Sequence, residues 1–168
     1  ATVYVKGSRM KNLMPSEEEQ VQAILDYQEY KKSQVKSILI TGHTGNLGSI
    51  CVEYFKSKEW NVTGISRSSG YDLTSPFDVA EFVNQNKQSY DLVFMTHGIV
   101  LSAIAHRSAV DTPWDYVIDT NLKSCVDLTG GLIDGKRLND NALIIYCSSI
   151  QATHPREGRF LYGLSKLG

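Results

Sequence analysis

Near the end of the chain, Tyr162 and Lys166 stand four residues apart in LYGLSKLG. On a helix that spacing puts both side chains on one face. An ammonium one turn from a phenol favours the phenolate, so the pair can give a proton to a carbonyl or take one from an alcohol. Taken alone, the pattern equally describes a surface pair on a helix. Two other features keep it company. The segment ALIIYCSS (142–149) ends at Ser148 and Ser149, and Ser149 lies thirteen residues before Tyr162. Asn121 sits inside a long helical stretch (112–133), where an asparagine either faces solvent or bonds a freed backbone carbonyl.

A second group of residues fits phosphate chemistry. ILITGHTGNLG joins an apolar strand to an amphipathic helix, with Gly42, Gly45 and Gly48 spaced G-x-x-G-x-x-G. Glycine permits the tight turn, the close approach of backbone to a pyrophosphate, and helix-on-strand packing. The helix N-terminus adds N–H groups and a positive dipole end. That context is what distinguishes a dinucleotide loop from a plain glycine turn. The next strand runs into Ser66, Arg67, Ser68 and Ser69 with no carboxylate. An acidic residue there would favour the free 2′-hydroxyl of NAD, whereas Arg67 suits a 2′-phosphate, hence NADP over NAD. The alternative for Arg67 is a solvated surface arginine. A usual βαβ unit places a helix and then a strand before such an acidic landmark; only a few residues separate Arg67 from YDLT, so the second helix is expected to be trimmed away. Asp72 then either contacts an adenine edge or caps the following helix.

These residues need a frame, and the hydrophobic pattern supplies one. Strands are expected at 35–41, 60–66, 91–98 and 142–149, and helices at 46–58, 75–87 and 112–133. The 46–58 helix places Leu47, Ile50, Cys51, Tyr54 and Phe55 on one side. The 75–87 helix has Ser75 as N-cap and Pro76 in its first turn. Alternation of apolar strands with helices predicts an α/β fold: a Rossmann-type, doubly wound parallel sheet covered on both faces. Residues 1–34 differ in character, with a short strand (2–6), a Gly-Ser turn and a helix opened by a Ser16–Glu19 capping box. The sequence therefore divides into an extension or linker (1–34) and a dinucleotide-binding domain (35–168).

The 168 residues carry 17 basic and 18 acidic side chains, a net charge of −1. That balance offers no nucleic-acid or membrane-surface binding, and no apolar run is long enough to span a bilayer. Three scattered cysteines (Cys51, Cys125, Cys147) lack paired spacing and read as reduced thiols in a cytoplasmic setting. The four histidines, His43, His97, His106 and His154, show no metal-ligand spacing, so no metal is expected.

From about Val35 to Lys166 the chain resembles the short-chain dehydrogenase/reductase family. The resemblance rests on TGHTGNLG, Asp72-Leu73-Thr74, Gly98 at a strand end, Asn121, Ser149 and Tyr162-x-x-x-Lys166, in that order. It implies an NAD(P)H-dependent oxidoreductase that moves hydride between nicotinamide and a small carbonyl or alcohol substrate. Tyr162 would be the acid/base and Lys166 would bind the nicotinamide ribose and tune it. Ser149 would hold the substrate carbonyl, and Asn121 a relay water. The cofactor would lie against Thr41, Gly42, Thr44, Gly45, Asn46, Leu47, Gly48, Ser66, Arg67, Asp72, Leu73, His97 and Gly98, besides Tyr162 and Lys166. His97, in Met95-Thr96-His97-Gly98, departs from the family pattern and either fills space or touches cofactor. The glycine spacing is similar to that of the sugar-nucleotide branch, which keeps an epimerase or dehydratase open beside a non-catalytic dinucleotide-binding or scaffolding module. Family members continue well beyond the lysine, so the fold is expected to be incomplete at the C-terminus. The tyrosine helix would then be a stub needing tertiary support, and the surface that usually decides homo-oligomers would be missing. Residues 1–14, with TVYVKGSRMKNL, resemble the strand and Lys-Gly-Ser-Arg turn near the end of Mur-type peptide ligases. That implies an upstream domain and a multidomain cell-envelope or polysaccharide enzyme.

Overall fold

The computed structural model describes residues 16–33, 35–100, 114–154 and 156–167. The strand and Gly-Ser turn expected within residues 1–14, the Thr112-Pro113 helix start and His106 lie outside them. The chain divides into two compact units, Ala1–Val35 and Lys36–Gly168. In the first, helix α1 spans Glu17–Ser33. Its start is the expected capping box: the Ser16 N–H donates to Glu19 Oε2 at 2.8 Å, and the Glu19 N–H to Ser16 Oγ at 3.2 Å.

The second unit is a four-stranded parallel sheet built from β1 (Ser37–Thr41), β2 (Asn61–Ile65), β3 (Tyr90–Met95) and β4 (Leu138–Tyr146). Their order is β2-β1-β3-β4, so the chain reverses its direction of advance between β1 and β3. The crevice at the carboxyl ends of those two strands is where such sheets bind ligands. Helix α2 (Asn46–Ser57) covers one face, over Ile38, Ile40 and Leu92. Helices α3 (Pro76–Gln85) and α5 (Ser124–Asp134) cover the other, over Leu39, Val93 and Met95. Both faces of β1 are therefore buried, which is why Ile38-Leu39-Ile40 reads as an unbroken apolar run. Between β2 and α3 the chain makes only a 3-10 turn, Arg67–Ser69, in line with the expected trimming. Helix α3 starts as expected, with Ser75 Oγ accepting from the Asp78 N–H at 3.3 Å and Pro76 in its first turn.

Several expected boundaries shift. The buried side of α2 is Gly48, Cys51, Val52 and Phe55, while Leu47, Ile50 and Tyr54 are exposed. The helix is rotated because Gly48, and not a large side chain, meets the glycine loop. The helix expected at 112–133 is instead α4 (Trp114–Ile118), a wider π turn (Asp119–Lys123) and α5. Strand β4 begins earlier than the apolar run and stops at Tyr146. Its register against β3 slips between Tyr90↔Leu138 and Leu92↔Leu143, so residues 139–142 stand against Asp91, with Asn141 at a φ of 62°. Helix α6 spans Phe160–Leu167, eight residues with Leu161, Gly163 and Ser165 buried, so it has the tertiary support a helix this short requires.

Leu128 on α5 is fully buried in the larger core, beside Val79, Phe82 and Val83 of α3. Leu128→Ala is expected to lower stability by about 2–5 kcal/mol, read as a drop in urea midpoint with an unchanged slope. An unshifted midpoint would show that α5 does not carry this core.

Candidate dinucleotide site

At the sheet's switch point a cleft of about 490 Å³ opens over the glycine loop. Gly42 leaves β1 in the left-handed region (φ 63°), and a Cβ there would lie 2.8 Å from His97 Cα. Its N–H donates to the Ile65 carbonyl at 2.8 Å, holding the loop between β1 and β2. A Cβ on Gly48 would overlap the Gly42 carbonyl oxygen, so helix α2 approaches the loop as closely as backbone allows. Gly45 caps α2 in extended conformation without a side-chain hydrogen bond. The first-turn N–H groups of α2 thus keep the donors and positive dipole end that suit a pyrophosphate.

The far end of the cleft is polar. Ser66 Oγ lies 2.8 Å from Ser68 Oγ, and Thr44 Oγ1 lies 3.4 and 3.3 Å from Ser66 and Ser68, so three hydroxyls form a triangle. Arg67 stands beside it and donates from Nη1 to Tyr116 Oη on α4 at 3.2 Å. Of the two roles open for Asp72, helix capping is not the one it takes, since Ser75 caps α3. Asp72 Oδ1 accepts from the Thr74 N–H at 3.0 Å and from Thr74 Oγ1 at 2.7 Å. Those bonds, with a lesser pull from the Arg67 charge, hold its carboxyl below the usual carboxylate range.

All the residues expected at the cofactor line this cleft except Thr41, Tyr162 and Lys166. Thr41 is wholly buried beneath it. Lys166 reaches the cleft's inner end: a Cβ on Gly98 would lie 3.1 Å from Lys166 Nζ and 3.1 Å from Asn121 Oδ1. Asn121, Ser165 and Lys166 also line an adjacent hollow of about 310 Å³.

Asn121 does more than its position in a helix suggested. It is 4% exposed and sits in the π turn. Its Oδ1 accepts from the Ile99 N–H at 2.7 Å, and its Nδ2 donates to the Ile99 carbonyl at 2.9 Å and to Ser165 Oγ at 2.9 Å. Ser165 Oγ in turn donates to the Tyr162 carbonyl at 2.8 Å. One amide therefore ties the segment leaving β3 to the helix that carries Tyr162 and Lys166. Ser148 Oγ donates to the Lys166 carbonyl at 2.8 Å. Ser149 caps the short 3-10 turn Ile150–Ala152, its Oγ accepting from the Gln151 N–H at 3.2 Å.

His97 lines the cleft and braces the core beneath it. Ser124 Oγ gives its proton to the Thr120 carbonyl (2.7 Å), so it accepts from His97 Nε2–H (2.7 Å). Nδ1 is then left to accept from Thr41 Oγ1 at 2.5 Å. Burial first, and the Lys166 charge second, push this imidazole down to about 4. The free thiols of Cys51, Cys125 and Cys147 are pushed up, each chiefly by burial.

Sequence reasoning missed Tyr71, Thr96, Ile99, Tyr116 and Thr120 in the cleft wall. Thr120 Oγ1 is buried without a hydrogen-bond partner among the described residues. One signal was available: Tyr116 and Thr120 are four apart on the helix of Asn121, so they share a face.

With this geometry in view, the chain matches the NAD dependent epimerase/dehydratase family over residues 38–152, and it belongs to that family. Solved short-chain dehydrogenases share the fold. A small-chain dehydrogenase is 17% identical with a TM-score of 0.69, over 80% of this chain and 67% of that one. A short chain dehydrogenase family protein from Francisella tularensis subsp. tularensis SCHU S4 is 24% identical with a TM-score of 0.66, over 79% and 58%. A small-chain dehydrogenase in complex with NADPH is 17% identical with a TM-score of 0.68, over 80% and 60%. The chain thus spans 58–67% of the length of these three structures. No curated protein sequence matches it. Among the described residues no helix is long and apolar enough to cross a membrane.

The neutral His97 has a consequence in acid. Unfolded, it titrates near 6.5; folded, near 4. Between those values the unfolded chain binds the extra proton, so stability falls as pH drops through that window, by on the order of 3 kcal/mol. His97→Asn is expected to flatten the pH 7 to 4 slope of the urea midpoint. Equal slopes in the two proteins would mean that His97 is not held neutral.

Proposed function

We propose that this chain carries the cofactor cleft and proton-transfer residues of an NAD(P)H-dependent oxidoreductase of short-chain dehydrogenase type, acting on a small carbonyl or alcohol and preferring NADP. The observation that supports it most is the Asn121 tie, which brings the Lys166 ammonium to the inner end of a glycine-floored cleft. The residues fit a nicotinamide dinucleotide. The positive-φ Gly42 and the close-packed Gly48 leave a floor without side chains, and the uncapped start of α2 faces the cleft. A bound nicotinamide would supply or accept the hydride. Arg67 and the hydroxyls of Thr44, Ser66 and Ser68 support the preference for a 2′-phosphate.

Tyr162 gives its phenolic proton to the carbonyl oxygen in reduction and takes it back from the alcohol in oxidation. Lys166 orients the cofactor ribose and keeps positive charge near that phenol. Ser149 holds the substrate oxygen, and Asn121, besides fixing α6, holds a relay water. Three free thiols support a reducing, cytoplasmic setting. The family to which the chain belongs gives weight to a second reading, an epimerase or dehydratase on sugar nucleotides. In that chemistry the hydride returns to the substrate and no reduced cofactor is consumed overall.

The test is Tyr162→Phe assayed by loss of NADPH absorbance with a panel of simple aldehydes and ketones. Turnover is expected to fall about 10²–10⁴-fold while NADPH affinity changes little. Turnover retained by the variant would remove Tyr162 from its role. Binding of NADPH by the unaltered protein without turnover on any carbonyl would count against the reductase reading and leave the epimerase or dehydratase and the non-catalytic module.

A further inference from the structure

We propose that Tyr116 is a specificity-determining residue: its phenol holds the Arg67 guanidinium over the hydroxyl triangle, so that the cleft favours a 2′-phosphorylated adenosine over its 2′-hydroxyl counterpart. This rests on the NADP preference given above. Arg67 follows β2, where a long exposed side chain loses up to about 2 kcal/mol of rotamer entropy when it is fixed. Tyr116 has only two side-chain torsions and stands on α4 across the cleft, so it is an inexpensive anchor. Its Oη accepts from Arg67 Nη1 at 3.2 Å, so the phenol acts on a ligand through that guanidinium.

The rest of the corner is consistent with an incoming anion. Thr44 donates to Ser66 at 3.4 Å and accepts from Ser68 at 3.3 Å, both long, so these hydroxyls give up little by turning toward a phosphate oxygen. Asp72, the carboxylate that feels the Arg67 charge, is already satisfied by the N–H and hydroxyl of Thr74. It does not hold Arg67 in an ion pair among the described residues. Tyr116 is also one turn ahead of Thr120 and five residues ahead of Asn121. The same helical segment thus places the anchor at the adenosine end and the buried amide at the nicotinamide end.

The test is calorimetric titration of NADPH and NADH into the 168-residue chain, its Tyr116→Phe and Arg67→Ala variants, and the double variant. Circular dichroism melts check folding. Tyr116→Phe is expected to weaken NADPH about fivefold, the loss of one hydrogen bond, and NADH less than about twofold. Arg67→Ala weakens NADPH further, and adding Tyr116→Phe to it changes NADPH affinity no more. Equal losses for the two cofactors, or a full Tyr116→Phe effect in the Arg67→Ala background, would overturn the proposal. An unchanged NADPH-to-NADH ratio in Arg67→Ala would instead overturn the NADP preference on which it rests. Binding of neither cofactor would overturn both, and the dinucleotide cleft with them.

Discussion

The site depends on where one buried amide spends its hydrogen bonds. Asn121 is almost wholly buried, so most of the hydrogen bonds of its side chain must be made inside the protein. It finds them on both backbone groups of Ile99 and on Ser165. Among the described residues it joins three parts of the site. The segment leaving β3 forms the cleft wall, α6 carries the tyrosine and lysine, and the π turn belongs to the long helix beneath. A regular α-helix would carry its residues past this point at a different angle. The extra residue of the π turn changes that angle, and such turns are frequent at functional sites.

The two ends of the cleft handle charge differently. At the phosphate end, positive character comes from backbone N–H groups and an exposed arginine, which can be positioned without burying a full charge. At the inner end, the Lys166 ammonium faces His97, whose imidazole is held neutral by its burial and by that ammonium. Two adjacent cations there would repel each other in a poorly solvated place. The neutral ring instead serves as a hydrogen-bonded bridge from Thr41 at the end of β1 to Ser124 on α5. The strand end that launches the glycine loop is thereby braced against the helix that holds Asn121.

Much of this was legible in the residues. Ile38-Leu39-Ile40 reads as a strand buried on both faces, and Gly42-x-x-Gly45-x-x-Gly48 after it reads as a close-packed turn into a helix. Ser75-Pro76 marked the start of α3 because capping chemistry is local. Other parts were set by tertiary contacts that no local pattern records. The face of α2 is fixed by Gly48 meeting Gly42, which turns Leu47, Ile50 and Tyr54 outward despite their hydrophobicity. The slip in β4 depends on what β3 presents to it. The helix around Asn121 reads as one amphipathic run, because a π turn leaves the apolar pattern nearly intact on either side. Tyr116 was missed for the opposite reason: a tyrosine near a helix start is ordinary until the fold places it opposite Arg67.

Whether the cleft binds a nicotinamide dinucleotide is tested most directly by a map of backbone amide shifts by NMR as NADPH is added to the isotope-labelled chain. Saturable shifts are expected, concentrated at Gly42–Gly48, at Ser66–Ser68 and at Gly98–Ile99, with the Asn121 side-chain amide moving as the inner end of the cleft responds. No saturable change, or shifts centred away from the carboxyl ends of β1 and β3, would contradict binding in this cleft.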